Sequence, residues 1–208
     1  MNGLFITFEG VEGAGKSTQI KLALEEIHKT GQAVTVTREP GGTVLAERIR
    51  GLILETLDDP PVGRAELLLM QAARAHHVDK VIRPSLAAGN IVVCDRFYHS
   101  TVAYQGYARG LDAEFILAST EFAVDGVHPH LTVILDMPVE EGLSRQQDRN
   151  RMESESLAFH EAVRRGFQAQ AESDPDRVKL IDARGSVDEV HQRVMRVLRP
   201  LLEAESGA

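Results

Sequence analysis

The chain has 208 residues, of which 43% are hydrophobic and 26% charged, and its formal net charge is -8. It has room for one sizeable core, and its composition excludes a disordered or fibrous chain. An acidic balance argues against a general nucleic-acid-binding face. No apolar run approaches the roughly 18 residues of a membrane span. The start "MNGLFITFEG" lacks the basic region and long apolar run of a signal peptide. The only cysteine, Cys94, has no partner for an internal disulfide. These readings predict one domain over 1–208, cytoplasmic, with no nucleic acid and no membrane among its partners.

Short apolar runs rich in β-branched residues predict five strands at 4–8, 33–37, 90–95, 130–136 and 177–182. Helical periodicity fills much of the space between. "STQIKLALEEIHKTG" places Ile20, Leu24 and Ile27 on one face and stops at Gly31. "TVLAERIRGLILETL" groups Leu45, Ile49, Leu52 and Ile53. "GRAELLLMQAARAHHVDKVIRPSLAAG" reads as one long helix with a break or kink at Pro84. Further helices are expected at 112–126 and from Val187 to the C-terminal region. Strands alternating with helices predict an α/β fold with a parallel, doubly wound sheet. Ligands in such sheets bind beyond the carboxyl ends of the strands.

The first strand runs into "GVEGAGKST", which fits G-x-x-x-x-G-K-[ST] between a strand and a helix. Such a loop curls backbone N–H groups around phosphates, with Lys16 reaching the β- and γ-phosphates and Ser17 suited to Mg²⁺. The helix opening near Lys16 adds its positive N-terminal end. The second strand ends in "REPGGT", placing Arg38 and Glu39 before a tight turn; alone, the pair also reads as a surface ion pair. The third ends in Asp95 and Arg96, where a carboxylate suited to the Mg²⁺ shell stands next to a guanidinium. His76 and His77 are adjacent on a helix and point about 100° apart, so they read as structural or interfacial rather than as metal ligands.

"GVEGAGKST", "TREPGGT", "LLLMQAARAHHV", "DRFYHSTVAYQG" and "NRMESESLAFHEAVRRGF" occur in this order, and together they resemble the motifs of bacterial thymidylate kinases. The resemblance implies a three-layer P-loop NTPase fold with a five-stranded parallel sheet. It implies transfer of the ATP γ-phosphate to dTMP with Mg²⁺ as cofactor, and a homodimer. A deoxynucleoside kinase or another P-loop nucleotide kinase is the alternative.

By the same resemblance, ATP is held by Gly10, Val11, Glu12, Gly13, Ala14, Gly15, Lys16, Ser17 and Thr18. Glu12 helps to place the acceptor, and Asp95 joins Ser17 at the metal, through water. Arg50 and Arg96 clamp the dTMP phosphate, where a bidentate guanidinium suits a dianion. Glu39 lies near the acceptor sugar. Arg74, Thr101 and Gln105 read the base, and Tyr104 disfavours ribonucleotides. Met70 stands where the family usually carries an aromatic on thymine, and Phe97 where it usually carries tyrosine.

"RQQDRNRM" places three arginines within seven positions. The phosphate loop has no arginine of its own, so the resemblance assigns the cation on the transferred phosphoryl to a lid at about 144–155. The order of preference is Arg149, then Arg151, with Arg145 over adenine. Asn150 replaces the family's usual aspartate, and the lid is a few residues short.

Overall fold

A computed structural model describes residues 3–56, 58–145 and 150–206, with the side chains of 205 and 206 left aside. Strands β1 (Phe5–Gly10), β2 (Val34–Arg38), β3 (Ile91–Asp95), β4 (Leu131–Asp136) and β5 (Val178–Asp182) form one sheet in the order β2-β3-β1-β4-β5. All four pairings are parallel. Winding reverses around β1, so its carboxyl end opens the crevice where ligands of such sheets bind.

β1 is buried along its whole length because it is covered on both faces. Its alternate side chains enter different cores: Ile6 and Phe8 pack into the one containing helices α1 (Lys16–His28), α8 (Leu157–Ser173) and α9 (Val187–Ser206). Phe5 enters the other, with Val78, Ile82, Leu86, Phe97 and Val124. Cys94 belongs to this second core, where burial pushes its thiol well above the usual range. Helices α2 (Val44–Leu54) and α3 (Gly63–His77) pack on each other through a smaller cluster.

Two departures from the sequence reading have physical causes. The stripe of α2 that faces α3 is Ala46, Ile49 and Ile53, whereas Leu45 and Leu52 are exposed. A helix covered by one neighbour buries only a narrow face. The long helix at Pro84 is not simply broken: α3 passes through a π-helical stretch, Val78–Ile82, into α4 (Arg83–Ala87). The Arg83 N–H donates to Val78 O, five residues back. This wider turn accommodates a ring that has no N–H and crowds the preceding turn. His77 is fully buried, which matches the structural of the two expected readings.

The remaining helices are α5 (Tyr98–Thr101), which continues as the π-helical stretch Val102–Ala108; α6 (Ala113–Val124); and α7 (Val139–Ser144). The sequence reading assigned no periodicity to 98–108 or to α8. Among the described residues, no helix is long and apolar enough to cross a membrane.

Candidate active site

The phosphate loop links β1 to α1. Gly13 sits at φ 71°, and a Cβ there would lie 2.0 Å from the carbonyl oxygen of Gly142, so only glycine fits. Gly15, at φ 84°, has no neighbour within 4 Å of its would-be Cβ; this open side faces the cleft. Lys16 is buried and donates from Nζ to the carbonyls of Gly10 and Val11, both at 3.1 Å. Burial and the nearby Arg96 charge lower its pKa, while Glu12, Asp95 and Glu9 oppose that shift. Val11 and Ala14 turn into the core, and Ser17 and Thr18 are exposed at the head of α1.

Beyond the loop lies a cleft of about 540 Å³. Among the proposed residues its walls include Glu12, Lys16, Ser17, Glu39, Arg50, Met70, Arg74, Asp95, Arg96, Thr101, Tyr104, Gln105 and Arg145. The fold thus gathers the ends of β1, β2 and β3 and faces of α2 and α3 at one place.

Arg96 follows β3 with φ 68°, a left-handed backbone that costs a non-glycine residue about 1–3 kcal/mol. The turn aims its guanidinium back across β1. Nη2 donates to Glu12 Oε1 at 2.6 Å, and Nη1 to Ser100 Oγ at 3.1 Å and Gly10 O at 3.3 Å. The Tyr104 hydroxyl donates to the same Glu12 oxygen at 2.7 Å. Burial alone would raise the Glu12 pKa, but Arg96, Lys16 and Tyr104 outweigh it and hold the carboxyl at about 2. Arg96 itself is held above its usual range: burial opposes its charge most strongly, but Glu12, Tyr104, Asp95 and Glu9 together outweigh burial.

Glu39 follows β2, before the cis peptide to Pro40. Its Oε2 accepts from Arg74 Nε at 2.8 Å, and its Oε1 lies 3.0 Å from His77 Nδ1. His77 Nε2 is 2.6 Å from Thr37 Oγ1. Arg74 also donates to Gln71 Oε1 at 2.6 Å and Thr101 Oγ1 at 2.9 Å, and its guanidinium carbon lies 5.4 Å from the Phe97 ring centre. Arg50 donates to Pro40 O at 3.0 Å; burial, then the Arg38 charge, depresses its pKa. An anion between Arg50 and Arg96 relieves such repulsion.

The three arginines expected in a lid part ways. Arg145 is at the phosphate loop, donating to Gly13 O at 3.3 Å and to Glu141 at 2.7 Å. Arg149 lies outside the described residues. Arg151 does not line the cleft: it donates to Ile53 O at 2.8 Å and to the buried Glu66 at 2.6 Å. Asn150 starts a turn, its Oδ1 accepting from the backbones of Met152 and Glu153 at 2.9 and 3.1 Å. An asparagine performs this local role as well as an aspartate.

Two carboxylates escaped the sequence reading. Glu9, fully buried, accepts at Oε1 from the backbones of Phe97 (2.7 Å) and Ser100 (3.3 Å). Its Oε2 lies 2.6 Å from Ser100 Oγ. It therefore holds the turn that presents Arg96. Burial raises its pKa to about 7, despite Arg96 and these hydrogen bonds. An acidic residue inside a run buried on both faces was the available signal. Glu66, at 0% exposure, is the second.

Comparisons with known proteins agree with this geometry. The family model described as thymidylate kinase matches residues 8–194. A thymidylate kinase of Synechococcus sp. (strain JA-2-3B'a(2-13)) is 52% identical over 199 residues, covering 96% of each chain. One from Pseudomonas syringae pv. tomato is 47% identical over 210 residues, covering 100% of both. The crystal structure of thymidylate kinase from Ehrlichia chaffeensis superposes with a TM-score of 0.77 at 37% identity, over 96% of this chain and 99% of that one. With a phosphate loop and a pair of arginines lining one cleft of a five-stranded parallel sheet, the chain belongs to the thymidylate kinase family.

Proposed function

We infer that the chain phosphorylates dTMP to dTDP with ATP. The observation that carries this reading is the pairing, in one cleft, of a phosphate loop with Arg50 and Arg96. The loop suits the donor phosphates and the two arginines suit the phosphate of a nucleoside monophosphate. An oxygen of the dTMP phosphate attacks the γ-phosphorus in line as its bond to the β–γ bridging oxygen breaks, giving ADP and dTDP. Lys16 and the loop N–H groups steady the donor, and Arg96, held by Glu12, orients the acceptor. Met70, Arg74, Thr101 and Gln105 bound the base end, with Tyr104 beside the sugar and Glu39 behind Arg74.

The donor set fits a bound Mg²⁺. Asp95 Oδ1 is buried with no hydrogen-bond partner among the described residues, and Ser17 is exposed at the head of α1. An ion bound largely by phosphates and water needs only a few protein donors of this kind. When bound, Mg²⁺ neutralises charge building on the phosphate oxygens.

Residues 1–208 act as one kinase domain with a lid at about 144–155. Arg149 is the lid arginine assigned to the transferred phosphoryl, because Arg151 is occupied by Glu66 and Arg145 rests on Gly13 and Glu141. Arg145 fits the edge of the adenine site. The active form is a homodimer in the cytoplasm. Phe115 and Phe122, two turns apart on α6, and Leu68 on α3 expose an apolar surface, with Phe122 at 87%. Sedimentation should show a dimer, and Phe122→Asp a monomer; a monomeric wild-type chain rejects that part of the reading.

Steady-state assays with dTMP, dUMP and thymidine test the reaction. Preference for dTMP is expected. Activity confined to thymidine would instead make the chain a deoxynucleoside kinase, with no task for the Arg50–Arg96 pair.

A further inference from the structure

Glu66 stands near the start of α3, fully enclosed behind the base end of the cleft. Its Oε1 accepts from Gln105 Nε2 at 2.7 Å. Its Oε2 accepts from Arg151 Nη2 at 2.6 Å, and Arg109 reaches both oxygens at 3.4 Å. Arg109 is itself fixed by Glu155 at 2.6 Å and lies 4.6 Å from the centre of the Phe159 ring. A carboxylate buried without cations would be costly. Here burial pushes its pKa up, but the bonds from Arg151, Gln105 and Arg109 prevail and the net shift is downward.

An ionised carboxylate only accepts hydrogen bonds. Gln105 must therefore turn its NH₂ group towards Glu66. Its carbonyl Oε1 is left for the cleft that Gln105 lines, and among the described residues no donor is bonded to it. An amide with two free sides can rotate by half a turn and exchange donor for acceptor; this one is held in one sense.

We propose that Glu66 is a specificity-determining positioning residue: it fixes the polarity of the Gln105 amide so that the base end of the cleft offers an acceptor. Thymine carries a hydrogen on N3 and meets that acceptor. Cytosine carries a lone pair on N3 and is repelled by it. Discrimination between the two pyrimidines thus starts one residue behind the atom that touches the base. The inference rests on the acceptor placement proposed above.

Glu66→Gln tests it, because a neutral amide at 66 can donate as well as accept and so frees Gln105 to rotate. The ratio of kcat/KM for dTMP to that for dCMP should fall by about 10-fold or more. In a Gln105→Met background, adding Glu66→Gln should leave that ratio unchanged. An unaltered ratio in Glu66→Gln alone, or an equal loss with both acceptors, overturns the proposal and marks Glu66 as structural. If Gln105→Met leaves the KM for dTMP unchanged, the acceptor placement itself fails. Should Glu66→Gln not fold, calorimetry on the native enzyme decides. The analogue 3-deaza-dTMP, which lacks the N3 donor, should bind about 10-fold more weakly than dTMP, and equal binding overturns the proposal.

Discussion

Arg96 and Glu12 meet at 2.6 Å, yet they are 84 residues apart and come from the ends of different strands. The contact joins the phosphate loop to the proposed acceptor clamp, and it is mostly shielded from water. Because the Glu12 pKa is depressed to about 2 from 4.5, the pair contributes stability that is present above about pH 4.5 and lost as pH falls towards 2. Glu12→Gln should therefore lower the melting temperature clearly at pH 7 and much less at pH 3. Activity should fall as well, since Arg96 loses its anchor. A stability gap that stays constant with pH would mean that the carboxylate is not held by this pair.

Glu9 predicts the opposite slope. Its pKa is about 7 in the folded chain and 4.5 as the ordinary value, so the folded state binds the proton more readily. Its contribution is fully present below about pH 4.5 and is lost as pH rises through 7; the bound on that loss is roughly 3 kcal/mol. Glu9→Gln keeps an acceptor for the Phe97 and Ser100 N–H groups and removes the titration. Relative to wild type, it should gain stability between pH 5 and pH 8 in thermal melts. Parallel curves would show that Glu9 titrates normally.

These two glutamates also mark where the sequence was readable. The five strands and the phosphate loop follow from apolar runs and glycine spacing, both local signals. The partners of Glu12 and Glu9 include Arg96 and Phe97 in the turn between β3 and α5, more than 80 residues away, and nothing local announces them. The same holds for Glu66, which looks like an ordinary acidic first-turn residue of α3 until Gln105, Arg109 and Arg151 are folded around it. The π-helical stretch at 102–108 hid the helix that carries Tyr104 and Gln105, because its spacing departs from the 3.6-residue repeat. Arginine identity in "RQQDRNRM" was visible, whereas the division of labour was not: Arg151 is drawn inwards by a carboxylate far earlier in the chain.

That division is open to kinetics. Arg149→Ala should lower kcat by about 10³-fold or more with little change in the KM for dTMP, as expected of a cation delivered at closure. Arg151→Ala should instead lower the melting temperature, because it strips a cation from a buried carboxylate, and should reduce kcat far less. A large kcat loss in Arg151→Ala, with Arg149→Ala near normal, would exchange the two roles.

Met70 lines the cleft half-buried on α3, among the small α2–α3 cluster. A thioether lies against a ring face through a flexible chain, and some of that freedom is lost on binding. A phenyl group at this position would offer a stiffer stacking surface, worth about 0.5–1.5 kcal/mol for an aromatic pair. Met70→Phe should thus tighten dTMP by roughly 2- to 10-fold, with kcat little changed. The same substitution should tighten dUMP by a similar factor, because stacking does not depend on the 5-methyl group. Titration calorimetry with both nucleotides checks this. Unchanged affinity for either would mean that residue 70 does not touch the base.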